Sequence, residues 1–203
     1  ERSDPDYTLG WGIIIGSIPV AVVGLVFKDL IEGALSSLWI IVAALLGWSI
    51  AMAVADRRRN LTREMGDVSI KDALVIGLFQ ALAPLFPGIS RSGATISAGL
   101  FRGYTRETAT RLSFYMGIPA LVAAGIYEAV TAASDITAAP SGGVAIGWLP
   151  TIVATLVSLV VAYFSIAWLL KFVSSNKFTG FIVYRVVLAA VIIVLLMLDA
   201  VTA

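Results

Sequence analysis

Five separate blocks of about 20 consecutive, mostly apolar residues constrain this chain more than any other feature. They run roughly Thr8–Phe27, Ser37–Ala55, Thr110–Ala133, Trp148–Leu170 and Gly180–Leu198. A helix that crosses the hydrocarbon core of a bilayer needs about 20 such residues. One block alone could be a buried core helix, but five in 203 residues leave too little polar sequence to cover them. The chain is 59% hydrophobic and 13% charged, against about 45–50% and about 25% in soluble domains. Tyr7, Trp11, Trp39, Trp148 and Tyr184 stand near block ends, where interfacial aromatic rings gather. Pro19 and Pro119 fall inside two blocks, which helices in lipid tolerate when neighbours satisfy the freed carbonyls. The fold class expected is an all-α polytopic membrane protein, with residues 1–203 forming a single membrane domain.

Residues 70–103 follow a different pattern. Two short apolar pieces, Ile70–Phe86 and Gly93–Phe101, are broken by Pro84, Pro87-Gly88 and Ser90-Arg91-Ser92-Gly93. Each is too short to cross alone, so a re-entrant helix-loop-helix is expected, entering and leaving on one side. The basic residues support that layout. Arg2, Arg57, Arg58, Arg59, Arg63, Lys71, Arg102, Arg106, Arg111, Lys171 and Lys177 then lie inside, 11 of 14. Lys28 alone lies outside, and Arg91 and Arg185 fall within membrane segments. This satisfies the positive-inside rule, whereas a sixth full crossing would export Arg102, Arg106 and Arg111. Ser134–Gly147, with Pro140, Gly142 and Gly143, is the one flexible connector expected.

The chemistry is bounded by what is missing. There is no Cys and no His, so thiolate and imidazole chemistry are excluded for these residues. The chain opens at Glu1, and Glu1–Tyr7 has no signal-peptide character, so an upstream segment is expected. No Walker loop or dinucleotide fingerprint is present, and no nucleic-acid partner is expected.

Donors concentrate instead at Ser90-Arg91-Ser92-Gly93. Two hydroxyls, a guanidinium and backbone N–H groups stand at a helix start, with Ser92 expected as the N-cap and Thr95 one turn in. The N–H groups and dipole of a helix start favour an anion, and a planar guanidinium suits phosphate oxygens. An arginine at membrane depth is costly enough to face a cavity or a partner. These residues describe an oxyanion or phosphate pocket. Gln80 is as suited to satisfying backbone groups as to touching a ligand. Arg185, one turn inside its block, is expected to snorkel to the interface. Ser113 and Tyr115 are expected to pack, Glu128 to be solvated, and Arg57–Arg59 to act as a topology signal.

At this segment the chain resembles the undecaprenyl-diphosphate phosphatase family, the membrane phosphatases associated with bacitracin resistance. The resemblance rests on Pro87-Gly88-Ile89-Ser90-Arg91-Ser92-Gly93-Ala94-Thr95-Ile96 preceded by Gly77-x-x-Gln80. Leu112-Ser113-Phe114 with Pro119, Tyr184-Arg185 and Ile18-Pro19 agree as well. It implies an inverted-repeat membrane fold, of which five spans and one re-entrant pair form the C-terminal part. It further implies hydrolysis of undecaprenyl diphosphate to the monophosphate and phosphate, recycling the lipid carrier for cell-wall synthesis. The implied location is the bacterial cytoplasmic (inner) membrane, with the active site facing outside. Arg91, Ser90 and Ser92 would then be catalytic, and Gly88, Gly93, Thr95 and Gln80 would bind substrate. The partners implied are a polyprenyl diphosphate and membrane lipids, with a homodimer kept as an option. The family's first motif, acidic with a Ser-Ser-Thr-Gly-His run, is absent here. The chain is therefore expected to be incomplete for catalysis, with any Mg2+ or Ca2+ held by ligands outside it. A polyprenyl-phosphate or organic-anion transporter or flippase, and a non-catalytic lipid-phosphate binder, stay open as other readings.

Overall fold

The computed structural model of the chain describes residues 4–32, 35, 37–131 and 147–201. The expected connector, Gly147 apart, and Arg2 lie outside the described residues. Eight α-helices are described: α1 Pro5–Val26, α2 Lys28–Glu32, α3 Leu38–Asp56, α4 Ile70–Leu85, α5 Arg91–Phe101, α6 Arg106–Thr131, α7 Trp148–Ser175 and α8 Thr179–Met197. Among the described residues, α1, α3, α6, α7 and α8 are long and apolar enough to cross a membrane. They correspond to the five apolar blocks, with ends shifted by a few residues where caps intervene. Asp4 caps α1, accepting from Asp6 N at 3.0 Å, and Ser37 caps α3, accepting from Trp39 N at 3.3 Å. The short α2 follows α1 directly. The outward faces are apolar, including Leu149, Leu156, Tyr163, Phe164 and Trp168 along α7. Bilayer lipid suits such a surface and water does not. The protein is a multi-pass membrane protein.

The two short helices form a hairpin closed at its base. At about 1.5 Å per residue, α4 spans about 24 Å and α5 about 16 Å, short of a bilayer core of about 30 Å. Asp72, at the start of α4, accepts from Arg102 Nε just beyond the end of α5 at 2.6 Å. Arg63 clamps the same carboxylate from the preceding loop, Nη2 to Oδ2 at 2.6 Å and Nη1 to Oδ1 at 3.2 Å. Tyr104 Oη and Ser69 Oγ donate to Oδ2 at 2.9 and 2.7 Å. Burial alone would raise the pKa of Asp72. The hydrogen bonds from Arg63, Ser69, Arg102 and Tyr104 outweigh it and hold the carboxyl well below the usual carboxylate range. A short backbone bridge between Arg63 and Tyr104 stitches the two base loops together.

A second buried carboxylate gathers further helix ends on the same side. Asp56, closing α3, accepts from Arg106 Nε at 2.7 Å and from Phe178 N at 3.1 Å. The start of α6 and the start of α8 are thereby joined to the end of α3.

The hairpin packs on α1 through small residues. A Cβ on Gly77 would overlap the Gly16 carbonyl, and a Cβ on Gly16 would lie 2.7 Å from Ala73 O. Gly12 approaches Ala73 in the same way, its virtual Cβ 3.2 Å from Ala73 Cβ. Gly12-x-x-x-Gly16 against Ala73-x-x-x-Gly77 is the close small-residue crossing that helices in lipid use, where backbone approach supplies the packing energy.

Candidate functional site

The tip of the hairpin is built by its breakers. Phe86 caps α4 with its N–H on Leu82 O at 3.1 Å, and Ile89 N turns back to Phe86 O at 2.9 Å. Between them Gly88 takes φ +105°, a conformation that L side chains rarely adopt. Its virtual Cβ would lie 2.7 Å from Ile41 O, so the loop lies directly on α3. Ser90 then caps α5, its Oγ accepting from Gly93 N at 3.2 Å. This corrects the expected cap at Ser92: the helix starts at Arg91, two residues earlier than the apolar pattern suggests. Ser90 Oγ and Ser92 Oγ lie 3.2 Å apart.

A pocket of about 210 Å³ opens beside this helix start. Its polar edge is Ser90, Ser92, Gly93 and Arg185, while Met52, Ile96, Leu169, Phe178 and Phe181 form apolar walls and Tyr184 borders it. First-turn N–H groups have no intrahelical acceptor. With Gly93 N taken by Ser90, the free donors of this start are those nearest the tip. Hydroxyls, free N–H groups and a guanidinium on one edge, with hydrocarbon on the others, fit an amphiphile with an anionic head.

Arg91 does not share the pocket lining with its neighbours. Its guanidinium lies against Gly117 of α6, where any Cβ would overlap Nη1. Among the described residues, Nη1 is buried without a hydrogen-bond partner, as is Gln80 Oε1. Gln80 reaches the same part of α6, Nε2 to Met116 O at 3.4 Å. Ser17 Oγ of α1 lies 2.9 Å from the same carbonyl. Thr95 is buried too, its Oγ1 2.6 Å from Ser113 Oγ, so it ties α5 to α6. Of the residues expected to form the site, Ser90, Ser92 and Gly93 line one pocket and Gly88 borders them through its carbonyl. Arg91, Thr95 and Gln80 occupy the opposite side of the tip, against α6.

Sequence reasoning missed two residues here. Arg185 does not snorkel: it is 7% exposed and donates through Nη2 to Gly88 O at 2.9 Å. Its only local signal is a charge one turn inside an apolar helix. Gly117 carried none, because its importance lies in the absence of a side chain opposite Arg91. Ser113 packs as expected. Among the described residues no three Asp or Glu side chains gather as a divalent cation would need.

The family model for bacitracin resistance protein BacA matches residues 1–191. The chain belongs to the BacA family. Among BacA-like relatives, the undecaprenyl-diphosphatase of Cutibacterium acnes is 71% identical over 203 residues, 100% of this chain and 72% of the relative. Undecaprenyl-diphosphatase 3 of Frankia casuarinae is 50% identical over 202 residues, 100% of this chain and 70% of its own length. Undecaprenyl-diphosphatase 1 of Frankia alni is 48% identical over 202 residues, 100% and 69% respectively. Both Frankia proteins therefore align with the hairpin, its tip and the flanking helices of this BacA-family chain.

Proposed function

We propose that this protein hydrolyses undecaprenyl diphosphate to undecaprenyl phosphate and inorganic phosphate. The observation that carries the reading is the pocket at the start of α5. The Ser90 and Ser92 hydroxyls and the Arg185 guanidinium border a cavity whose remaining walls are mostly apolar. A lipid diphosphate needs both surfaces at once. Family membership and the names of the relatives support the same chemistry.

In the reaction, a water oxygen bonds to the terminal phosphorus and the water gives up a proton to solvent. The bond from that phosphorus to the bridging oxygen breaks, and the lipid monophosphate leaves with the bridging oxygen. Ser90, Ser92 and the free N–H groups of the first turn hold phosphate oxygens, and Gly93 lets the backbone come close. Arg91 supplies positive charge at the same tip. Such donors favour the charge that accumulates as the bond breaks. Thr95, engaged with Ser113, ties α5 to α6, and Gln80, engaged with Met116, ties α4 to α6, rather than touching phosphate. No Asp or Glu is among the residues lining the pocket, so they position and neutralise without supplying a general base.

The bacterial cytoplasmic membrane is the proposed location, with the base of the hairpin inside and its tip toward the outer face. The clustering of Arg63, Arg102 and Arg106 at the base supports this orientation. The test is phosphate release from undecaprenyl diphosphate by the protein as expressed from its gene, reconstituted in lipid, with Mg2+, with Ca2+ and with a chelator. Release above the protein-free control is expected in at least one condition. No release in any of them overturns the reading.

A further inference from the structure

We infer that Arg185 is a positioning residue of this pocket: it fixes the Gly88 peptide and so sets the direction in which the hairpin tip presents its donors. The inference rests on the phosphatase reading above, and goes beyond it by assigning a role to a residue of the last helix.

A guanidinium inside an apolar helix is costly unless it finds partners. Arg185 finds three, none of them at the interface and none on its own helix. Nη2 donates to Gly88 O at 2.9 Å and to Leu45 O at 3.3 Å. Nε donates to Ser49 Oγ at 3.3 Å, and Ser49 Oγ in turn donates to Leu45 O at 2.6 Å. One side chain therefore joins α8, α3 and the tip of the hairpin.

Gly88 is the place where such a bond matters. Its left-handed backbone is pressed on α3 at Ile41 and Ala44. A peptide unit is planar, so turning the Gly88 carbonyl to Arg185 turns the Ile89 N–H the other way, onto Phe86 O at 2.9 Å. Ser90, the cap of α5, follows immediately. The orientation of one peptide thus determines where the cap and the free N–H groups of α5 stand. Arg91 cannot do this, since its own guanidinium is turned to Gly117. The planar fork of arginine serves acceptors in several directions at once, and a lysine ammonium at the end of a flexible stem does not reproduce it.

Arg185 also borders the pocket, so a direct charge contact with phosphate is the role to be separated from positioning. The experiment compares wild type with Arg185→Lys, both reconstituted in lipid, measuring kcat and KM for phosphate release together with thermal unfolding. Positioning predicts that Arg185→Lys lowers kcat by about tenfold or more while KM stays within about twofold, because misplaced donors weaken the transition state and not the anchoring of the lipid tail. A raised KM at unchanged kcat, or wild-type values for both, overturns the inference. If Arg185→Lys does not fold, Ser49→Ala keeps the guanidinium and removes one acceptor. About threefold lower kcat at constant KM is then expected, and unchanged kinetics overturns the role. If the wild type itself releases no phosphate, the phosphatase reading fails and this role with it. Release by wild type with no change in the variants removes only the role of Arg185.

Discussion

Asp72 and Arg102, 30 residues apart and at opposite ends of one helical hairpin, meet with Arg102 Nε 2.6 Å from Asp72 Oδ1. That single contact brings the end of α5 back to the start of α4. The carboxylate is fully buried and also holds Arg63, Tyr104 and Ser69, so the base of the hairpin is organised around one charge.

Replacing that charge is expected to destabilise the fold. Asp72→Asn removes the negative charge and one of the two oxygens that accept from Arg63 and Arg102. The loss is about 1.5–3 kcal/mol, the range for a hydrogen bond to a charged group, since Arg63 and Arg102 are partly exposed and can re-solvate. The pH dependence follows from the depressed pKa of Asp72. Its stabilising contribution is complete above the unfolded value of about 3.9 and is lost progressively as pH falls below it, toward the folded value. Thermal unfolding in detergent from pH 6 to pH 3 checks this. Wild type should lose stability below about pH 4 more steeply than Asp72→Asn.

The crossing of α1 and α4 tolerates no side chain at its centre. Gly77→Ala places a methyl on the Gly16 carbonyl, and overpacking of this kind costs about 1–3 kcal/mol. Gly47→Ala is the control, because among the described residues nothing lies within 4 Å of its virtual Cβ. Melting temperatures of the two variants should separate, with Gly77→Ala the lower.

On α6 the contrast is between two glycines. Gly117→Ala meets the Arg91 guanidinium, whereas Gly125→Ala meets nothing within 4 Å among the described residues. Displacing a charged group of the tip by about 1 Å is expected to slow phosphate release by about 10²-fold. Gly125→Ala should stay near wild type. Equal rates for the two variants would show that the seat of Arg91 is irrelevant to turnover. Arg91→Ala should lower turnover by about 10²–10³-fold, checked by phosphate release from the variant reconstituted in lipid.

The two serines of the tip are expected to differ in what they stabilise. Ser90 Oγ caps α5 through Gly93 N, so Ser90→Ala should lose about 1 kcal/mol of stability as well as activity. Ser92 Oγ bonds Ser90 Oγ and caps nothing, so Ser92→Ala should lose activity at unchanged stability. Unfolding and phosphate-release measurements on both variants separate the roles.

Most of the architecture could be read from single segments. Each of the five long helices announces itself by an apolar run of the length that a bilayer demands, and that length is a property of the segment alone. The hairpin was equally legible: Pro84, Pro87 and Gly88 stop one helix, and Ser90-Arg91-Ser92-Gly93 starts another within a few residues. The concentration of hydroxyls, guanidinium and glycine at a helix start also pointed to anion binding without any tertiary information. Even here a local tie had to be broken. Ser90 and Ser92 are both good caps, and the fold chose Ser90 because Gly88, pressed on Ile41, sets the backbone just before it.

Tertiary structure alone decided which way the charged side chains face. Successive residues of an α-helix point about 100° apart, so Ser90, Arg91 and Ser92 cannot all address one pocket. Arg91 went to the glycine gap of α6, and its place in the pocket lining is taken by Arg185, 94 positions further along. The role of Asp72 leaves no trace in its own segment, because its partners Arg102 and Tyr104 are 30 and 32 residues away. The physical reason is the same in each case. Apolar length and turn chemistry are local and leave a periodic trace in the sequence. The partner of a buried charge is fixed by how helices cross, and no segment carries that information by itself.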